Sequence, residues 1–350
     1  MPTPTPRSHT CWTAALAVAL CAGAVYAGPD ALRMNQIQVI ATHNSYHVRP
    51  KKGLVEQVRP FYPNAVTFEY THAPLDVQLD RGLRSFELDL HCFPDGYQVY
   101  HVPHVDFGTT CKRLVDCLEC VRDWSARHPR HVPIVFLLEI KDDREALAMS
   151  SALPVDAATL DLLDEEIRSV FPPERLITPD LVRSDAPTLE AAVRAHGWPT
   201  LDATRGKVLF ILHEGGRNRD LYTHGRPSLE GRAMFIRSEP GRPDAATLVM
   251  DYPDVEKIQR VVKQGYLVRT RADAGLLFTE TRRQAALASG AQIVSTDFPL
   301  GEAHAETGYV VALPGGVAAL PNPVNAPPSQ AAAVLEDPAY LQSPVAIGSE

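Results

Sequence analysis

Short apolar and β-branched runs alternate along the chain with segments whose apolar residues recur at helical spacing. The runs predict eight strands, at residues 37–42, 85–90, 97–101, 133–140, 207–213, 233–237, 266–271 and 292–296. Helical spacing is clear in the series Leu114, Leu118, Val121 and Trp124. We expect helices to end at Gly265 and Gly290, because glycine readily adopts the left-handed conformation that follows many helices.

Eight strands alternating with helices predict a single-domain α/β fold, an irregular TIM-type (β/α)8 barrel. The irregularity is expected after the second strand, where residues 91–96 leave no room for a helix. A doubly wound open sheet is the alternative architecture, but it gives no reason for the series to stop at eight strands.

The two ends of the chain differ from its middle. Residues 1–27 contain Arg7 and His9, an apolar run and small residues at a cleavage site, which together predict a signal peptide. A membrane anchor is the alternative, but it needs about 20 apolar residues. Residues 28–313 would form the barrel, and the Pro- and Ala-rich residues 314–350 predict an extended or disordered tail without chemistry. We therefore expect a secreted or periplasmic protein.

Charge and composition exclude several classes of protein. The 350 residues include 34 Lys and Arg against 42 Asp and Glu, a net charge of −8, and no basic block. This balance excludes counterion-driven binding to nucleic acid and gives no electrostatic attraction to anionic membranes. Transient contact with a membrane surface would have to come from the site itself, and no obligate protein partner is indicated.

Four cysteines remain after the predicted signal peptide: Cys92, Cys111, Cys117 and Cys120. An even number in an exported protein favours disulfides, and the sequence leaves all three pairings open. A zinc site built from three of these thiols is a weaker alternative, because the second half of a zinc motif is missing.

Acidic and amide side chains gather at the predicted strand ends, where a barrel of this kind has its active site. Asn44 follows the first strand, Glu87 and Asp89 share one face of the second, and Glu139 lies near the end of the fourth. Such close carboxylates repel unless a cation lies between them, and oxygen ligands suit Ca²⁺, with Mg²⁺ less favoured. Ordinary salt bridges are the alternative for each carboxylate taken alone.

Two histidines also lie at strand ends. His43 follows the first strand and His101 ends the third, so we expect them to be the catalytic acid and base.

Four basic side chains are candidates for holding a phosphate. Lys207 and His213 flank the fifth strand, and Arg269 and Arg271 lie on the seventh. A salt bridge to Asp273 is the alternative for Arg271.

Several short strings, taken in order, resemble the phosphatidylinositol-specific phospholipase C superfamily, and more narrowly its secreted bacterial calcium-dependent branch. They are HNSYH at 43–47, FELD at 86–89, YH at 100–101, LLE at 137–139, RGKVL at 205–209, RTRAD at 269–273 and GAQIVSTD at 290–297. The resemblance spans roughly residues 35 to 300.

The resemblance implies a phosphodiesterase with His43 and His101 as its catalytic histidines and with Asn44, Glu87, Asp89 and Glu139 as calcium ligands. The metal-independent branch has a basic residue where this chain has Asp89. The substrate would be a phosphoinositide, and an unphosphorylated inositol lipid fits better than a polyphosphorylated one. A glycerophosphodiester phosphodiesterase shares several of these features but normally has His-Arg-Gly at the first site. A third hypothesis for the function is a secreted protein that binds a lipid or a sugar phosphate without catalysis.

Overall fold

Strands and helices alternate through most of the chain. The structure, a computed structural model, describes residue 1 and residues 31–51, 53–142, 152–275 and 277–341. Its strands are β1 (Ile37–Thr42), β2 (Ser85–Phe93), β3 (Gly96–Val99), β4 (Ile134–Ile140), β5 (Leu176–Ile177), β6 (Val208–Leu212), β7 (Phe235–Ile236), β8 (Thr247–Val249), β9 (Leu267–Arg271), β10 (Ile293–Thr296) and β11 (Leu320–Pro321). Its α-helices are α1 (Leu54–Val58), α2 (Leu75–Asp80), α3 (Leu114–Arg127), α4 (Ala157–Val170), α5 (Pro179–Arg183), α6 (Leu189–Ala195), α7 (Leu201–Thr204), α8 (Gly216–Thr223), α9 (Val255–Lys263) and α10 (Glu280–Ala288).

Eight parallel strands form the wall of a barrel. They pair in the order β7-β6-β4-β2-β1-β10-β9-β8. The two ends of this series meet through one parallel bridge, between Arg237 and Thr247. The predicted TIM-type α/β fold is therefore confirmed.

The two faces of the wall have different chemistry. Phe86, Phe136 and Phe210 lie side by side on β2, β4 and β6, with ring centroids 5.7 and 5.0 Å apart. Because successive side chains of a strand point to opposite faces, Glu87 and Asp89 face the interior of the barrel. The aromatic layer thus packs outward under the helices, and the acidic face is left for the site.

The helix signals of the sequence are confirmed where they were strongest. Leu114, Leu118, Val121 and Trp124 are all buried along α3. Gly265 follows α9 with φ +102°, and a Cβ there would lie 2.2 Å from the carbonyl oxygen of Val193. The same left-handed conformation occurs at Gly290, after α10.

The third predicted strand is not part of the barrel wall. β3 runs antiparallel to β2 as a hairpin, with Leu90 opposite Val99. The eighth wall strand is instead β8, which the sequence analysis missed. The interpretation failed because a short apolar run shows that a strand forms but not which neighbour it pairs with.

The expectation of an extended or disordered tail is wrong for its described part, residues 314–341. β11 pairs antiparallel with β1, and Leu335 is buried against the barrel. Glu336 forms an ion pair with Arg84, whose side chain is fully buried. Proline and alanine lowered the periodicity of this segment without removing its packing contacts.

One disulfide joins Cys111 to Cys117, and the other two described cysteines are thiols, buried at Cys92 and half-buried at Cys120. The expectation that all four cysteines pair is therefore wrong, and Cys111 and Cys117 are not zinc ligands. The predicted signal peptide lies outside the described residues, apart from Met1. Among the described helices, none has the length and apolar character that a bilayer crossing requires.

Candidate active site

His43 is the first residue after β1, and its backbone amide donates to the carbonyl of Thr296 at 3.0 Å. Its Nδ1 lies 2.7 Å from Oδ1 of Asp297, which directly follows β10. Burial opposes ionisation of Asp297, but His43 and Arg271 outweigh it and lower its pKa to about 2. The ionised carboxylate accepts a hydrogen bond from Nδ1 of His43 and leaves Nε2 for another partner.

His101 has a similar arrangement in the loop after β3. Its Nδ1 lies 2.8 Å from Oδ2 of Asp106, a fully buried carboxylate. Nε2 of His47 lies 2.8 and 2.9 Å from the two oxygens of the same carboxylate. Burial would raise the pKa of Asp106, but the hydrogen bonds from the two imidazoles lower it. Asp106 thus orients His101 as Asp297 orients His43.

The two histidines face a common acidic cluster. Burial opposes ionisation of Glu87, but Arg269 and, after it, His43 lower its pKa. Burial raises the pKa of Asp89, and Lys141 and, to a lesser extent, His101 act against this rise. Glu87 and Asp89 are buried on the inner face of β2, so few water molecules can screen these charges.

Glu139 completes the cluster from the neighbouring strand. β2 and β4 pair in register, with Asp89 opposite Glu139, so the two carboxylates are lateral neighbours inside the barrel. Oxygen atoms of Glu87 and Glu139 and a ring nitrogen of His213 all lie within 4.8 Å of one another. Nδ1 of His213 is 3.4 Å from Glu139 and 3.8 Å from Glu87.

Lys141 supplies a cation to this cluster that the sequence analysis missed. Its Nζ lies 2.6 Å from Oε1 of Glu139 and 2.9 Å from Oδ2 of Asp89. Burial opposes the charge of Lys141, but the two carboxylates raise its pKa. Burial also raises the pKa of Asp89, and Lys141 partly offsets this.

The comparisons with known proteins agree with this architecture. The model of the family described as phosphoinositide phospholipase C, Ca²⁺-dependent, matches residues 32–96 and 93–323 in two overlapping segments. The chain belongs to this family. It is therefore an enzyme of the phospholipase C type, a phosphodiesterase. None of the curated proteins matches the sequence.

Two solved structures show the same fold as this phospholipase C. A calcium-dependent phosphoinositol-specific phospholipase C from Pseudomonas sp., in an apo form with myo-inositol, is 20% identical, with 83% of this chain and 96% of that chain covered and a TM-score of 0.56. A Ca²⁺-dependent phosphatidylinositol-specific phospholipase C from Streptomyces antibioticus is also 20% identical, with 76% and 95% covered and a TM-score of 0.52.

The acidic cluster of this phospholipase C fits a calcium ion. Glu87 and Glu139 bring carboxylate oxygens close together, and oxygen is the ligand that calcium prefers. The two buried oxygens of Asp89 accept no well-aligned hydrogen bond from the described residues, and their one close ionic partner there is Lys141, so the carboxylate faces a cation position. Asn44 directly follows His43 at the end of β1 and is buried in a left-handed conformation with φ 45°. His213 is a poorer calcium ligand than these oxygens.

The predicted phosphate-binding residues have different surroundings in the structure. Lys207 precedes β6, at the opposite end of that strand from His213, so it does not reach the site. Arg269 is buried in ion pairs with Glu87 and Asp251, and these pairs engage its guanidinium. These positions favour Arg271 and His213 over Lys207 and Arg269 as the phosphate contacts.

Arg271 and His213 remain at the mouth of the barrel. Arg271 donates to the backbone carbonyl of Asp273 at 2.9 Å and to the carboxylate of Asp297 at 3.2 Å. Its carboxylate partner is thus Asp297, not Asp273 as the alternative interpretation held. Burial and the charge of Asp297 raise the pKa of Asp273 to about 7.

Proposed function

We propose that the protein is a Ca²⁺-dependent phospholipase C that cleaves phosphatidylinositol to diacylglycerol and an inositol phosphate. The observation that carries the proposal is the pair of carboxylate-oriented histidines, His43 with Asp297 and His101 with Asp106, beside one acidic cluster. Family membership supports the reaction class.

In the proposed reaction the inositol 2-hydroxyl oxygen attacks phosphorus, and the bond from phosphorus to the diacylglycerol oxygen breaks. His101 donates a proton to that leaving oxygen from Nε2, because its Nδ1 is held by Asp106. His43 hydrogen-bonds the phosphoryl group. The products are diacylglycerol and a cyclic inositol phosphodiester, which water can later open.

Glu139 is the better acceptor for the proton of the 2-hydroxyl. Burial would raise its pKa, but His213 and Lys141 lower it, so the carboxylate is ionised at neutral pH. Its side chain is 33% exposed, whereas Glu87 is held in a buried ion pair with Arg269. Arg271 and His213 would contact the phosphate or the ring.

Glu87, Asp89, Glu139 and Asn44 would hold the calcium ion. When bound, the ion supplies positive charge that offsets the charge gathering on the phosphoryl oxygens and favours loss of the hydroxyl proton.

We also propose that the enzyme is exported and acts at a lipid surface. The Cys111–Cys117 disulfide supports an oxidising compartment, and a mature protein lighter by residues 1–27 would test export. Two exposed aromatic side chains support membrane contact: Phe107 follows Asp106, and Phe61 precedes Tyr62, whose ring packs on Phe68 beside His101.

Product analysis tests the proposed activity. Phosphatidylinositol and glycerophosphoinositol are each incubated with the enzyme, with calcium or with excess chelator, and products are followed by phosphorus NMR. We expect cyclic inositol phosphate from phosphatidylinositol in calcium only. Full activity in chelator would remove the metal role, and turnover of glycerophosphoinositol alone would favour a glycerophosphodiester phosphodiesterase.

Substitution of the histidines tests their roles. His43→Ala and His101→Ala should each lower turnover by at least about a hundredfold, the usual scale of acid–base catalysis. His196→Ala is the matched control, because His196 is exposed after α6 and should leave the rate unchanged. A near-normal rate for either site variant would exclude that histidine, and bound ligand without turnover in the wild type would indicate a binding protein.

A further inference from the structure

Lys141 occupies the space between two of the carboxylates that we assign to calcium. Its ammonium nitrogen lies 2.9 Å from Asp89 and 2.6 Å from Glu139. Lys141 follows β4 and is two residues after Glu139, so both side chains project to the same side of the sheet. Its backbone amide donates to the carbonyl of Leu90 on β2 at 2.9 Å, which fixes the origin of the side chain beside both carboxylates.

The two carboxylates need a cation in the absence of metal. They are lateral neighbours on adjacent strands, and the side chain of Asp89 is only 1% exposed, so water screens their repulsion poorly. Within the described part of the chain, Lys141 is the one basic side chain that forms an ion pair with Asp89. Its ammonium group therefore has the charge and the position that the metal-free site requires.

An ammonium group and a divalent cation cannot share these oxygens without strong repulsion between them. The side chain of Lys141 is 18% exposed and long enough to turn toward solvent, whereas Asp89 is fixed in its strand. The flexible partner is therefore the one that leaves.

We propose that Lys141 is an internal counter-cation of the metal-free enzyme, which calcium must displace from Asp89 and Glu139, so that Lys141 sets the calcium affinity of the site. This inference rests on the proposed calcium site. The displaced side chain keeps its charge in solvent, and the ion takes over both carboxylates.

The structure also defines the competing arrangement. Glu87, Glu139 and His213 form a group that could hold a cation without Asp89. In that arrangement the Asp89–Lys141 pair persists when the ion binds. Lys141 would then stay against Asp89 in the wild type when calcium binds, and its exposure to solvent would not change.

Calcium binding, measured by isothermal titration calorimetry, tests whether Lys141 opposes the ion, and the chemical reactivity of Lys141 in the wild type separates the two arrangements. Lys141→Met should bind calcium at least about tenfold more tightly than the wild type, because no ammonium group has to leave Asp89 and Glu139 before the ion binds. Lys141→Arg keeps the charge and should bind calcium no more tightly than the wild type, because a guanidinium pairs at least as well with carboxylates. Lys263→Met, at an exposed position of α9, is the matched control and should change nothing.

The outcomes of the titration distinguish failure of the Lys141 proposal from failure of the calcium site. Tighter binding by Lys141→Met supports the displacement. Equal or weaker binding overturns it and leaves the proposed calcium site standing. Calcium binding by neither protein overturns the calcium site and this inference with it.

Chemical labelling of the wild type gives a readout that does not depend on a variant folding. Acetic anhydride is applied in chelator and in saturating calcium, and acetylation of each lysine is measured by mass spectrometry. Lys141 should become several-fold more reactive in calcium, while Lys263 reacts equally in both. Equal protection of Lys141 in both conditions would contradict its displacement.

Discussion

Asp106 is shared by two imidazoles, one at the site and one behind it. His101 approaches one carboxylate oxygen, while Nε2 of His47 approaches both. Nδ1 of His47 faces the carbonyl oxygen of Tyr70 at 3.0 Å, so both ring nitrogens of His47 have acceptors as neighbours. His47 is thus fixed on both sides of its ring, and it holds Asp106 in position behind His101.

Asp106→Asn should lower kcat by about a hundredfold or more while leaving the fold intact. An amide can present its NH₂ group to His101, which favours the wrong tautomer for proton donation. The pKa of Asp106 is lowered by its two imidazole partners, so the wild-type carboxylate is ionised throughout pH 5–8. The loss should therefore be uniform over that range in a pH–rate profile.

Asp116→Asn is the control for that variant, since Asp116 is a partly exposed carboxylate on α3. A wild-type rate for Asp106→Asn would show that His101 needs no carboxylate. A loss confined to one end of the pH range would show that Asp106 itself titrates there.

At this scale the sequence indicated where the candidate site residues lie better than it indicated their partners. His43, Glu87, Asp89, His101 and Glu139 could be placed because each lies at the end of an apolar run. Asp106 and Asp297 were missed as partners because pairing across the barrel leaves no local pattern. Two features of the sequence could have indicated these partners. Asp297 directly follows β10, as His43 directly follows β1, and Lys141 is two residues after Glu139 and therefore on the same face of the sheet.

The C-terminal segment, residues 314–341, packs against the end of the barrel where β2 and β4 begin. Glu336 accepts hydrogen bonds from Arg84 and from the backbone amide of Val132 at 2.7 Å. Arg84 immediately precedes β2 and lies over the ring of Trp124 at 4.8 Å from its centroid. One carboxylate of the C-terminal segment thus connects β2, β4 and α3.

Glu336→Gln should lower the free energy of unfolding by about 3 kcal/mol, because it leaves the buried Arg84 guanidinium without its counter-charge. Urea unfolding followed by circular dichroism measures the change. Glu306→Gln, at an exposed position, should stay within about 0.5 kcal/mol of the wild type. Equal stability of the two variants would show that the C-terminal segment contributes little to folding.

Element prediction succeeded where one face or one stripe is buried and failed where pairing is long-range. β1 was predicted with its observed bounds, and α3 was predicted from its apolar stripe. β8 was missed because three residues give too short a pattern. β3 was assigned to the wall although its partner is the end of β2.

At the scale of the whole molecule, two aromatic side chains are exposed in segments next to the site. Phe61 is 89% exposed and Phe107 is 60% exposed. Phe107 follows Asp106, and the ring of Phe68 lies 5.1 Å from that of His101. With a net charge of −8, the protein would approach a lipid surface through these side chains and not through a basic patch.

The double variant Phe61→Ala and Phe107→Ala should lower turnover of phosphatidylinositol in vesicles by about tenfold, the scale expected when one aromatic side chain loses its burial. Turnover of a soluble short-chain phosphatidylinositol should stay within about twofold. Val334→Ser changes an exposed apolar residue of the C-terminal segment and should affect neither assay. Equal losses on both substrates would indicate damage to the site instead of lost membrane contact.

The bridge between Arg237 and Thr247 makes the barrel unequal around its circumference. β2 and β4 share six aligned residue pairs, whereas β7 and β8 meet at this one bridge. Local opening of the barrel is therefore expected between β7 and β8, because the fewest backbone hydrogen bonds break there. Nη1 of Arg237 lies 3.5 Å from Nε2 of His213, so this opening would displace His213 first. His43 follows β1, on the opposite side of the barrel, and would keep its position.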